Sequence, residues 1–280
     1  MSGTPGFRLA GVMGWPVAHS RSPRLHGHWI AEHGLQGAYV LLPVPPERLG
    51  EAVRGLRALG FAGCNVTIPH KLAVMAHLDE VEPTARLVGA VNTIVVTGDG
   101  RLVGRNTDGE GWLQGLRDAQ PHWRADAGPA VVIGSGGAAR AVTAALAAAG
   151  APAIRIVNRT REKAQVLAGQ LGAAATAHGW SERGTLLADA ALLVNTTSQG
   201  MHGQPALDLP LERLPRDCVV SDVVYTPLET PLLAAARARG NPTSDGLGML
   251  LNQARPAFAA WFGVEPRVTP ALRAAMAEGL

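Results

Sequence analysis

The stretch that most constrains the fold is Ala130-Val-Val-Ile133, followed without a break by Gly134-Ser135-Gly136-Gly137-Ala138-Ala139 and an alanine-rich run. Four continuous apolar residues suit a central strand of a parallel sheet, buried on both faces. The alanine-rich segment favours helix, so the glycines mark a strand–turn–helix junction. Gly134 is placed to make the tight turn, and Gly136 to let the backbone approach a ligand. Ala139 fills the small-residue position where helix packs on strand. The first turn of such a helix presents N–H groups and a partial positive charge to a pyrophosphate. The junction therefore predicts a dinucleotide-binding unit; a glycine turn used for packing alone is the alternative.

The next strand refines this expectation. A strand over Ile154–Val157 ends in Asn158-Arg159-Thr160, with Arg161 and Lys163 just beyond. Units that hold NAD usually end this strand in a carboxylate that binds the ribose hydroxyls. Here no carboxylate occupies that place, and a guanidinium can pair with a 2′-phosphate instead. NADP is therefore expected over NAD. The competing reading is that these cations only decorate an exposed helix start.

The rest of the chain alternates strand and helix, the pattern of an α/β protein. Strands are expected at Leu9–Met13, Tyr39–Pro43, Cys64–Thr67, Ala190–Val194 and Cys218–Val223. Helices are expected from Ser22-Pro23 to Gly34, over Glu47–Leu59, from Pro69, and over Gly109–Ala119, Met249–Phe262 and Pro270–Glu278. Gly98-Asp99-Gly100 between Val91–Thr97 and Arg101–Arg105 signals a hairpin. The texture changes near Asn106, which suggests two lobes, at about 1–105 and about 106–240.

Composition excludes several classes. With 47% hydrophobic and 17% charged residues in 280, the chain is no disordered tail. No apolar run approaches the roughly 18 residues of a membrane span, and no leader is visible, so a cytoplasmic protein is expected. The net charge of +3 is spread without a basic run, which disfavours nucleic acid. Two cysteines are too few for a disulfide framework. His19, His26, His28 and His33 lack partners at metal-ligand spacing, so no metal is expected.

Four polar stretches sit beside turns: His19-Ser20-Arg21-Ser22-Pro23, Asn65-Val-Thr67-Ile-Pro-His-Lys71, Gly89-Ala-Val-Asn92-Thr93 and Gly104-Arg-Asn-Thr-Asp108. Hydroxyls, amides, one lysine and one carboxylate suit a small polyhydroxylated ligand. Singly, each has a plainer use: Ser22 and Asp108 as helix caps, Asn92 as a bridge between backbone groups. Lys71 differs. It is one of only two lysines among 25 basic side chains. On the first turn of a helix its charge would oppose the dipole, which makes sense if that charge or proton is used.

These stretches, with Asn195-Thr-Thr-Ser-Gln-Gly-Met201, Asp222-Val-Val-Tyr-Thr-Pro227, Thr230-Pro-Leu-Leu233, Asp245-Gly-Leu-Gly-Met-Leu250 and Gln253, resemble in order and over nearly the whole chain the shikimate dehydrogenase family. The resemblance implies two α/β domains with a cleft between them: a discontinuous substrate domain (1–105 plus 241–280) and a Rossmann-like doubly wound NADP domain (106–240). It implies NADPH-dependent, reversible reduction of 3-dehydroshikimate to shikimate in aromatic amino-acid biosynthesis, by a monomer or homodimer. Ser20, Ser22, Asn65, Thr67, Asn92, Asp108, Tyr225 and Gln253 would line the substrate pocket. Lys71 would donate the proton, oriented by Asp108. Gly134, Ser135, Gly136, Gly137, Ala138, Asn158, Arg159, Thr160, Lys163, Val223 and Gly246 would hold NADP. The family often has Asn where this chain has Gly27, which would alter helix packing. The rivals are a quinate/shikimate enzyme using NAD and a silent NADP-binding sensor. An acidic end to the second strand would favour the first, and the presence of both Lys71 and Asp108 argues against the second.

Overall fold

The computed structural model of the chain describes residues 6–280. It divides into two units, one running to Thr107 and including Gln253–Leu272, the other Asp108–Asn252 with Arg273–Leu280. The first contains β1 (Arg8–Gly14), α1 (Ser22–Glu32), β2 (Gly37–Pro43), α2 (Leu49–Ala58), β3 (Phe61–Val66), β4 (Glu80–Val81), α3 (Pro83–Val88), β5 (Thr93–Val96) and β6 (Leu102–Arg105). Its six-stranded sheet has the order β2-β1-β3-β5-β6-β4. β1 pairs in parallel with β2 and β3, while β5 is antiparallel to β3 and β6. The Gly98-Asp99-Gly100 turn joins that antiparallel pair, as the hairpin signal predicts. Val53 and Leu56 of α2 pack on Cys64, Val66, Ile94 and Leu102 to form one core of this unit.

The second unit contains α4 (Asp108–Ala119), β7 (Ala130–Ile133), α5 (Gly137–Ala148), β8 (Ile154–Asn158), α6 (Arg161–Leu171), β9 (Ala175–Gly179), β10 (Leu192–Asn195), β11 (Val219–Asp222), α7 (Pro231–Ala238) and β12 (Thr243–Ser244). Then come α8 (Gly246–Phe262) and α9 (Pro270–Ala277). The sheet order is β12-β11-β10-β7-β8-β9, and every pairing is parallel. From β7 the chain winds outward through β8 and β9; it then returns to β10 and winds the other way. That doubly wound order puts a topological switch point between β7 and β10, where such sheets bind ligands at their strand ends.

Two expectations need correction. Pro69 opens no α-helix: the chain turns at 69–72 and then makes a 3-10 turn over Ala73–His77. His70 explains this, because its buried ring is tied to the Val44 carbonyl at 2.7 Å and its N–H to the Thr67 carbonyl. The chain is thereby pinned to the end of β2 before a helical turn can form. The second concerns the expected lobe boundary at 240. Residues 241–252 pack in the second unit, through β12 on β11 and through Gly248 against Gly115 of α4. The division falls inside α8, between Asn252 and Gln253.

Candidate active site

The turn after β7 is built as its sequence requires. Gly134 has φ +113°, and a Cβ there would lie 2.7 Å from Thr196 Oγ1, so the close approach of the loop after β10 excludes any side chain. Gly136 caps α5 in an extended conformation, with no side chain capping the helix. A Cβ at Gly136 would meet nothing within 4 Å, so nothing in the protein explains its lack of a side chain. An open, uncapped helix start fits a phosphate lying against the backbone. Ser135, Gly137 and Ala138 are half-buried around it, and Ala139 is fully buried.

At the end of β8, Asn158 Nδ2 donates to the Thr160 carbonyl at 2.8 Å, which curls the chain into α6. Arg159, Thr160 and Lys163 are exposed. Arg159 makes no ion pair among the described residues, whereas Arg161 is turned toward Glu182, 3.9 Å away. The guanidinium at the strand end and the missing carboxylate both suit a 2′-phosphate. The cradle therefore fits NADP.

Val223 and Gly246 come together: a Cβ on Gly246 would lie 2.3 Å from the Val223 carbonyl oxygen. Below them lies Asp222, whose role the sequence reading missed. Its Oδ1 accepts from Asn195 Nδ2 and the Val224 N–H, each at 3.0 Å, and its Oδ2 from Thr230 Oγ1 at 2.8 Å. One carboxylate thus ties the end of β10 and the loop after β11 to the start of α7. Burial raises its pKa to about 6 against the pull of these bonds. Tyr225 is half-buried on the loop that follows β11.

In the first unit Asn65, Asn92 and Gln253 form one network. Asn92 Nδ2 donates to Thr107 Oγ1 at 2.9 Å and to Gln253 Oε1 at 3.3 Å. Its Oδ1 accepts from the Thr107 N–H and from Thr93 Oγ1, each at 3.0 Å. Thr107 Oγ1 in turn donates to the Gln253 carbonyl at 2.8 Å. Asn92 therefore bridges three segments. Thr93 and Thr107, which lie in two of the polar stretches, join the network although neither was among the expected pocket residues. The Ser22 N–H donates to Ser20 Oγ at 3.3 Å, and the Thr67 N–H bonds the Met13 carbonyl at 2.9 Å. Gly27 is exposed, and a Cβ there would meet nothing within 4 Å, so the departure from the family pattern changes no packing.

Lys71 is half-buried in a turn, and its carbonyl accepts from the Val91 N–H at 2.8 Å. The dipole argument for Lys71 lapses with the helix; the bond from Val91 joins two of the polar stretches, Asn65–Lys71 and Gly89–Thr93. Asp108 is buried and is itself the first residue of α4. Lys71 belongs to the first unit and Asp108 to the second.

Comparison with known proteins agrees with this architecture. Residues 12–94 match the model of the shikimate dehydrogenase substrate binding domain, 120–202 that of shikimate/quinate 5-dehydrogenase, and 246–276 that of the shikimate 5′-dehydrogenase C-terminal domain. A Paramagnetospirillum magneticum protein named shikimate dehydrogenase (NADP(+)) is 59% identical, over 95% of this chain and 97% of its own. Shikimate 5-dehydrogenase from Thermus thermophilus, solved with NADP(H) and shikimate, superposes with a TM-score of 0.85 at 38% identity, covering 96% of this chain and 98% of that one. Quinate dehydrogenase from Corynebacterium glutamicum, solved with NAD, gives 0.87 at 32% identity and 97% of each chain. Two α/β units, the glycine cradle and near-full-length identity of this order lead to one conclusion: the chain belongs to the shikimate dehydrogenase family.

Proposed function

We propose that the chain is the NADP-dependent shikimate dehydrogenase that reduces 3-dehydroshikimate to shikimate, reversibly, for aromatic amino-acid biosynthesis. The observation that carries the cofactor choice is the end of β8, where Arg159 stands exposed and no carboxylate occupies the ribose position. Gly134–Ala138, Asn158, Arg159, Thr160, Lys163, Val223 and Gly246 would hold NADP. When bound in reduced form, it supplies the hydride taken up by the ring ketone. Ser20 and Ser22 bind the substrate carboxylate, and Asn65, Thr67, Asn92, Tyr225 and Gln253 read the ring hydroxyls. Lys71 delivers a proton from Nζ as charge grows on the carbonyl oxygen. Asp108 orients that ammonium and accepts a hydrogen bond from a substrate hydroxyl. Cys64 and Cys218 are buried and unpaired, which accords with a reducing compartment, the cytoplasm.

The test is cofactor reduction followed by absorbance, with shikimate and quinate each paired with NADP and NAD. Shikimate with NADP should give the highest kcat/KM. A preference for quinate with NAD would make the chain a quinate dehydrogenase, and binding of NADP without turnover of either substrate would make it a sensor.

A further inference from the structure

Tyr39 lies on β2, outside every stretch that carries the family resemblance. Strand register places Tyr39 opposite Ala10, and Val12 opposite Asn65. Alternate residues share a face of a sheet, so Tyr39, Ala10, Val12 and Asn65 lie on one side. The side chain at Ala10 is a single methyl, so the phenol can lie across β1 and reach β3. Its hydroxyl donates to Asn65 Oδ1 at 2.7 Å. A phenol has one proton, and here Asn65 receives it.

The donor count then limits what each neighbour can offer. Asn65 Nδ2 donates to the Asn92 carbonyl at 3.2 Å and to Thr93 Oγ1 at 3.1 Å. Both amide protons are used, and one lone pair of Oδ1 remains. Toward a ligand Asn65 is an acceptor for a hydroxyl and nothing else. Beneath the ring, His26 stacks at 4.0 Å and 2° from parallel, which fixes the plane in which the hydroxyl points.

We infer that Tyr39 is a positioning residue for the substrate half of the site: it presents Asn65 as an acceptor, and so sets affinity for shikimate more than turnover. This rests on the reading of Asn65 as a substrate ligand. Burial keeps the phenol well above its ordinary ionisation range, so the donor persists at neutral pH.

The experiment is steady-state kinetics of Tyr39→Phe, Asn65→Ala and the double variant in the full chain, with melting temperatures. In Tyr39→Phe the KM for shikimate should rise roughly tenfold, the scale of losing one partner of a buried hydrogen bond. The kcat and the KM for NADP should stay within about threefold. The double variant should be little worse than Asn65→Ala, because Tyr39 acts through Asn65. An unchanged KM, or additive losses in the double variant, would overturn the inference. So would a Tyr39→Phe protein melting below the assay temperature, which would make Tyr39 a core residue only. If the unmodified chain fails to turn over shikimate, the functional reading fails first and this inference falls with it; a normal wild type with an unaffected Tyr39→Phe defeats the inference alone.

Discussion

The His26 imidazole lies flat on the Tyr39 ring, 4.0 Å between centroids and 2° from parallel, and neither of its nitrogens has a hydrogen-bond partner among the described residues. The groups around it, Trp29, Tyr39, Phe258 and Trp261, are neutral rings. Burial therefore lowers the His26 pKa from 6.5 to about 3. The unfolded chain takes up this proton as pH falls through 6.5, while the folded chain resists it until about 3. Stability carried by neutral His26 is present above that window and is lost on acidification through it. Asp222 works with the opposite sign: its raised pKa of about 6 removes stability as pH rises from 3.8 toward that value.

Replacing His26 with Phe isolates the first effect, because it keeps an aromatic ring and removes the titration. Between about pH 7 and about pH 5, wild type should lose roughly 2 kcal/mol relative to His26→Phe. Urea unfolding of both proteins at each pH measures this. Parallel losses in the two proteins would show that His26 is not the neutral buried base described.

The first two glycines of the cradle should separate fold from function. Gly134→Ala puts a Cβ at φ +113° and 2.7 Å from Thr196 Oγ1. It should cost about 1–3 kcal/mol of stability. Gly136→Ala has an ordinary φ of −79° and open space around the new methyl. It should melt close to wild type yet bind NADP at least about tenfold more weakly, since the methyl would occupy the space that a phosphate approaches. Thermal melts with and without NADP distinguish the two. Wild-type NADP affinity in Gly136→Ala would mean that the phosphates lie elsewhere.

What could be read from the sequence was what is determined locally. The junction of β7, turn and α5 needs only adjacent residues, and so does the hairpin between β5 and β6. The failure at Pro69 has a distant cause. Proline at a first helical position is a sound local signal, but His70 bonds to the Val44 carbonyl at the end of β2, 26 residues away in sequence. The short strands β4 and β12, of two residues each, carry no periodicity to detect. Helix α7 carries a local signal of its own, Thr230 capping the Leu233 N–H with Pro231 at the first helical position. Asn65 and Asn92 were legible as polar residues beside turns, and Gln253 through the family resemblance alone. Their donor usage was not, because Asn92 and Gln253 lie 161 positions apart. Tyr39 reads locally as one more strand aromatic, and only the register across β1 shows what its hydroxyl reaches.

Preference for NADP should rest mainly on Arg159. A hydrogen bond to a charged partner is worth roughly 1.5–3 kcal/mol, so Arg159→Ala should weaken NADP binding about tenfold or more. NAD lacks the phosphate, and its affinity should hardly move. Titration with both cofactors decides the matter; equal losses would mean that Arg159 shapes the turn into α6 and reads no phosphate. Arg161 serves as the control, because its guanidinium is turned toward Glu182. Arg161→Ala should change discrimination much less.

The proposed proton donor and its partner are tested together. Lys71→Ala should lower kcat by at least about a hundredfold, the low end for losing a general acid. Asp108→Asn preserves size, but Asp108 is the first residue of α4, where a negative charge favours the helix dipole. Losing that charge should cost only about 0.3–1 kcal/mol of stability. If Asp108 serves the helix alone, kcat should survive that small loss. If it holds the Lys71 ammonium, kcat should fall steeply while the protein stays folded at the assay temperature. Residues that act as a unit are strongly non-additive, so the double variant should be little slower than the worse single one. Rates and melting curves of the four proteins, measured side by side, separate the readings. Additive losses in log kcat would show that Lys71 and Asp108 contribute independently, and the proposed pair would have to be abandoned.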